Sequence, residues 1–442
     1  MNLQTPPTLD AAVESLRAEV TGSVSLPGET GYELAIPWNA AVPVAPGAVV
    51  AVESAQDIAA TVRFAAKLGL RVGVQRTGHG AVPLGSDVLL VHTGRLTECV
   101  VDPENRTARI GAGLIWQDVI DAAAPHGLAP LAGSSPTVGV AGFLTAPASA
   151  RWCARTGCRR ITFVRSTSSP AVANSFMSPP TNMPNCSGGG YAAARPHWAL
   201  SQPSRSTYYL SPTSTAVHSI STAQMQARSR TPGWTGGADL PEHSSTSLAF
   251  LQLPPLPQVP PPLAGRLTVA VRFASLAEES DAKSLIDRIR SIATPLIDAV
   301  GVLPYAALGA VHADPVDPMP THESTALTNE LSHEAVDALL AAAGPPGSGS
   351  PPQTVVELRL LGGALAREPE HRSAFCHRDA AFSLFTVGVL APPPMVDAVV
   401  PHARLSDERW RHGRTGMHCP TSRRASTRRR SPAPTTRTPL TG

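Results

Sequence analysis

Lysine is nearly missing from this chain: Lys67 and Lys283 are the only two, so arginine carries almost all the positive charge. Cysteine is sparse as well. The six cysteines are scattered without a CxxC spacing, which excludes a disulfide framework and a paired-thiolate metal knuckle. No apolar run approaches the ~20 residues that cross a bilayer, so no membrane partner is expected. The first twenty residues lack the basic start and apolar stretch of a secretory leader, since Asp10, Glu14 and Glu19 fall where that stretch would lie. A cytoplasmic location is therefore expected. Neither GxGxxG nor a P-loop occurs, and a Rossmann or ATPase reading has nothing to rest on. Acidic residues are locally absent: none falls within 145–238, and none after Glu408.

What is present divides the 442 residues into four zones. Residues 1–144 alternate regularly and carry both charge signs. Residues 145–238 hold nine arginines amid dense Ser, Thr and Pro. Residues 239–402 regain a balanced composition, and a tail of Arg, Ser, Thr and Pro follows. The tail arginines Arg423, Arg424 and Arg428 to Arg430 have no interleaved aromatics and no helical face, so no nucleic-acid partner is expected.

The first zone contains a βαβ unit. Ala48 to Val52 is a short apolar strand, and Ser54 with Asp57 forms a helix start signal. Ile58, Val62, Ala65 and Ala66 then share one helical face, and Gly69 closes the helix. The strand Leu70 to Gln75 runs directly into Arg76-Thr77-Gly78-His79-Gly80. Beyond it come strands ending at Asp102 and covering Thr107 to Gly111, a helix near 115–124, and the loop from Gly133 to Gly142. In the third zone, 266–273, 354–361 and 380–389 read as strands and 282–292 and 334–343 as helices, an α+β domain built separately from the first.

Two glycine-rich loops after strands let backbone N–H groups approach a ligand closely, which suits a pyrophosphate. Gly133, Ser134, Ser135, Thr137, Val138, Gly139 and Gly142 give the second loop this character, with three hydroxyls. On these residues alone, a phosphate-bearing cofactor and a pair of tight turns both remain open.

The same residues carry a resemblance. Pro37-Trp38-Asn39, the strand–helix–strand at 48–75, Arg76-Thr77-Gly78-His79-Gly80, Asp102 with Arg106 to Arg109, Gly111-Ala112-Gly113 and Ser135-Pro136-Thr137-Val138-Gly139 occur in order. Together they resemble the FAD-linked oxidases of the p-cresol methylhydroxylase and vanillyl-alcohol oxidase type, in the berberine-bridge-like branch. The resemblance implies an α+β chain: a two-subdomain FAD-binding domain over 37–215 and a separate substrate-binding domain with an antiparallel sheet over 239–402. An N-terminal segment (1–36) and a basic tail (403–442) complete it. It implies FAD held by Arg76, Thr77, Gly78, His79, Gly80, Gly133, Ser134, Ser135, Thr137, Val138, Gly139 and Gly142. His79 matches the position that tethers the flavin covalently in many members. Ser135 stands where doubly linked members carry cysteine, so a second link is not implied. Val356-Glu357-Leu358-Arg359 with Gly362-Gly363-Ala364 resembles the substrate domain, where Tyr305 and His312 are polar candidates. The implied activity is hydride transfer from a small organic substrate to FAD, with oxygen or another acceptor.

After Gly142-Phe143-Leu144 the resemblance breaks, and acids, periodicity and the expected glycine run disappear together. Reading each codon one base early, with permitted third bases, restores family-like sequence over 148–188 and again over 410–422. Residues 145–238 and those after about 403 are therefore expected to be frameshifted. An inactive, frame-damaged relative that holds flavin poorly or not at all is the competing expectation.

Overall fold

The computed structural model describes residues 9–145, 240–290, 295–331, 333–344, 353–367, 377–390 and 396–403, together with four short strands at 166–167, 195–199, 208–210 and 214–215. The segments expected to be out of frame lie, apart from their margins and those four strands, outside the described residues.

The first sheet joins β1 (Ser23–Ser25), β2 (Ala48–Ala51), β3 (Arg71–Gln75) and β4 (Val88–His92) in the order β1-β2-β4-β3. β2, β4 and β3 run parallel, and β1 is antiparallel at the edge. β2 and β4 are buried along their whole length, as expected of strands covered on both faces. Helices α1 (Leu9–Glu19) and α2 (Ala55–Leu68) cover one face through Val13, Leu16, Ile58 and Phe64, which pack on Val50 and Leu89. Tyr32, Ala35, Val49 and Leu90 form the core on the other face.

α2 starts where the sequence says it should. The Ser54 hydroxyl accepts from Asp57 N at 3.1 Å, and Gly69 ends the helix in the left-handed region at φ 70°. The Asp57 carboxylate is buried, yet it accepts from Thr21 N, Gly22 N, Glu53 N and Ser54 Oγ at 2.9–3.1 Å. Burial pushes its pKa up, and these four donors outweigh burial and hold it below the ordinary aspartate value. Ser54→Ala is expected to lower stability by about 1 kcal/mol, read as an earlier urea midpoint.

The second sheet joins β5 (Cys99–Asp102), β6 (Thr107–Ile110), β7 (Ser166–Thr167) and β8 (Arg195–Ala199) as an antiparallel β5-β6-β8-β7 ribbon. α3 (Trp116–Ala123) and α4 (Val140–Thr145) bracket the second glycine-rich loop, and Trp116, Val119, Ile120 and Val140 share its core.

The third sheet has eight strands: β9 (Tyr208–Leu210), β10 (Ser214–Thr215), β11 (Ser244–Gln252), β12 (Leu267–Ser275), β13 (Gly301–Leu303), β14 (Thr321–Thr328), β15 (Val355–Leu360) and β16 (Phe382–Val389). Their order is β13-β9-β12-β11-β15-β16-β14, with β10 beside β12, and every pairing is antiparallel. α5 (Glu279–Arg290) packs Ile286 near Phe273, and α6 (His333–Ala343) packs Ala335 and Leu339 on Phe250, Val356, Leu358 and Leu384. Both helices lie on one face. Strand alternation sends Arg272, Glu357 and Arg359 to the other.

Candidate functional site

The strand β3 delivers the chain into 76–80, where Gly78 adopts φ 73°. A Cβ on Gly78 would lie 2.5 Å from the Pro37 backbone, so only glycine permits this crossing. Trp38 N donates to Thr77 O at 2.8 Å, and the Trp38 ring stacks on His79 with centroids 4.8 Å apart and planes within 14°. The second loop arrives from the other side. Val140 N donates to Leu114 O at 3.0 Å and Trp116 N to Val138 O at 3.1 Å, which holds 137–140 against the start of α3.

The two loops meet at His79. Its Nδ1 lies 2.8 Å from Thr77 Oγ1, and its Nε2 lies 3.4 Å from Thr137 Oγ1. Ser135 Oγ is 2.9 Å from Thr137 Oγ1, and Gly139 N donates to Thr77 Oγ1 at 3.4 Å. Burial pushes the His79 pKa down to about 4. The ring is therefore neutral at pH 7 and keeps a lone pair on one nitrogen. Arg76 is committed elsewhere: its Nε donates to Gly113 O, and its carbonyl accepts from His92 Nε2 at 3.1 Å.

Residues 46–166 match the FAD binding domain family. The chain carries an FAD-binding domain. (R)-6-hydroxynicotine oxidase of Paenarthrobacter nicotinovorans is 34% identical over 128 residues, 28% of this chain and 28% of that protein. The match thus spans little more than a quarter of that relative's length. The whole fold is similar to BBE-like 1 of Physcomitrella patens, with TM-score 0.70 and 15% identity over 90% of this chain and 88% of that one. It is also similar to berberine bridge enzyme from Eschscholzia californica, with TM-score 0.66 and 15% identity over 90% and 83%.

The FAD-binding domain suits its cofactor on the geometry above. A Cβ at Gly80 would meet nothing within 4 Å among the described residues, which leaves the backbone of the first loop open to close approach. Trp38 Nε1 is buried with no hydrogen-bond partner among those residues, a donor waiting for an acceptor. The hydroxyls of Thr77, Ser135 and Thr137 are turned toward His79 and one another, so phosphate contacts would fall to the backbone. Gly78→Ala would combine a left-handed cost of about 1–2 kcal/mol with the Pro37 clash. Flavin retained after gel filtration is expected to fall to background in this variant.

Of the two substrate-domain candidates, Tyr305 sits in the core that joins the halves of the molecule. Its hydroxyl donates to Pro130 O, and Ala132 N donates to it at 3.4 Å. His312 is buried, with Nδ1 3.9 Å from Asp314 Oδ1, and it is among the groups that hold the Glu357 carboxyl low. Trp38 is a site residue that the sequence does not reveal. A tryptophan after proline in the segment ahead of β2 was the available signal, but its partner His79 lies forty-one positions away.

Proposed function

We propose that this chain is an FAD-dependent oxidoreductase acting on a small organic substrate, with oxygen or another molecule as electron acceptor. The observation that carries the reading is the convergence of loops 76–80 and 133–142 on a neutral, tryptophan-stacked His79 inside the FAD-binding domain. FAD, when bound, supplies two-electron acceptance from a substrate C–H bond. The protein's part is positional. Trp38 and Thr77 hold the imidazole, and the backbone of both loops approaches the cofactor. The large sheet and the turn before it border the two loops through Thr321 on Asn39 and Gly309 on Pro136.

His79 is the tether in this proposal. Its neutral nitrogen would be the nucleophile toward the flavin 8α carbon, where a C–H bond is given up, its proton lost to solvent and its electron pair taken by the flavin ring itself, to be passed on to the electron acceptor. Ser135, a hydroxyl where a thiol would be needed, limits attachment to one link.

The test is the visible spectrum of the purified chain, followed by anaerobic addition of candidate substrates. A yellow protein whose flavin bleaches with substrate supports the proposal. A yellow protein that never bleaches reduces the chain to a flavin-binding protein, and a colourless one returns the frame-damaged alternative. Sequencing the coding DNA across residues 144 and 238 checks the frameshift itself, which compensating insertions there would establish.

A further inference from the structure

The inner face of the large sheet carries charges that its own packing does not use up. β11, β12, β15 and β16 register so that Ser247, Arg272, Glu357, Arg359 and Phe385 point to the same side. This side looks toward the FAD-binding domain. Ala274, two residues beyond Arg272 on β12, packs in one core with Trp116 and Val140. Two further links join this face to the flavin loops. Thr321, which opens β14, donates its N–H to Asn39 Oδ1 at 3.1 Å, next to the tryptophan stacked on His79. At the other end, a Cβ on Gly309 would lie 2.9 Å from Pro136, and the same turn carries His312 to the neighbourhood of Glu357.

Glu357 is only 1% exposed, and its two oxygens are fully engaged. Oε1 accepts from Ser247 Oγ at 2.6 Å and Arg272 Nη1 at 2.9 Å, and Oε2 accepts from Arg359 Nε at 2.9 Å and Nη2 at 2.7 Å. A carboxylate held this way is a clamp for two guanidiniums, not a base. One negative charge meets two positive ones. Arg272 Nε is buried without a partner among the described residues, although the side chain is 7% exposed. Arg359 has its Nε and Nη2 edge on Glu357, lies over the Phe385 ring at 5.2 Å, and is 34% exposed. The other acids are not in position to cancel the surplus. Asp314 faces His312, and Glu323 is bonded to Thr321, about 13 Å along the strand direction from the level of Arg359.

We infer that Arg272 and Arg359 receive a carboxylate of the substrate, which makes the substrate class a small organic acid bound with its anionic end on the sheet. Phe385 supplies an apolar wall beside that end. Arginine suits this task because its fork keeps donors for a second oxyanion after one edge is used. The inference rests on the flavoprotein reading for its role and on the sheet alone for its site.

The test uses the full chain and two matched pairs of probes, acetate with acetamide and benzoate with benzamide. Isothermal titration calorimetry is expected to find at least one carboxylate binding tenfold or more tighter than its amide. Arg359→Gln should abolish that preference while Arg359→Lys keeps part of it, with unfolding temperatures confirming that both variants fold. The bound carboxylate should also shift the flavin absorption band. Equal binding of acid and amide, or an unchanged preference in Arg359→Gln, would overturn the anion site. Selective binding with no flavin shift in a yellow protein would overturn the substrate role. A colourless chain that still prefers the carboxylate would keep the anion site and remove the flavoprotein reading, so the two failures are separable.

Discussion

Glu357→Leu is expected to destabilise the chain by about 3–5 kcal/mol, because it strands two guanidiniums against an apolar side chain in the sheet. Arg272 has nowhere to go, at 7% exposure, whereas Arg359 at 34% can turn toward solvent. Most of the loss should therefore track Arg272. The double variant Arg272→Met/Glu357→Leu is expected to recover much of it, since a buried ion pair replaced whole by apolar groups is often neutral or stabilising. Urea unfolding of the two single variants and the double one measures the coupling directly. The acid limb adds a second readout. Burial alone would raise the Glu357 pKa, but Arg359, His312 and Arg272 hold it well below the ordinary glutamate range. A depressed carboxylate stabilises fully above its unfolded pKa and loses that contribution as pH falls through its folded one. The wild-type chain should thus lose stability below about pH 4.5 more steeply than Glu357→Gln does.

His79→Ala is expected to move all flavin colour from the acid-precipitated pellet to the supernatant, an all-or-none change in the covalent fraction. Wild type should keep colour in the pellet. Colour in the wild-type supernatant would remove the tether while leaving the cofactor. The same variant tests the ring's electrostatics. His79 is depressed from 6.5 to about 4 by burial, so the unfolded chain takes the proton first as pH falls. Stability from this group is complete above 6.5 and declines on the way down to 4. In protein made without flavin, removing the ring should flatten that part of the pH–stability curve, which thermal melts at pH 4.5, 5.5 and 6.5 would read (pH values chosen to bracket the titration).

Several elements were legible because their signals are local. α2 is defined by its own apolar face, by Ser54 at one end and by Gly69 at the other. Others were missed for an equally physical reason. β11 begins Ser-Ser-Thr-Ser and β14 reads Thr-His-Glu-Ser-Thr, sequences whose polar residues look like loop until a sheet satisfies them. Ser247 is buried because Glu357 is its partner 110 positions away, a relation no window of sequence contains.

The sequence by itself determined the βαβ unit, the two glycine-rich loops that mark the FAD-binding domain, and the α+β character of both halves, since each follows from short-range periodicity, caps and backbone freedom. Only the tertiary structure decided that Trp38 covers His79, that Thr137 reaches the same ring from the second loop, and that Glu357 clamps two arginines on the face turned toward the FAD-binding domain. Those arrangements depend on which strands become neighbours and on which side of a sheet is buried, and both are settled by long-range packing.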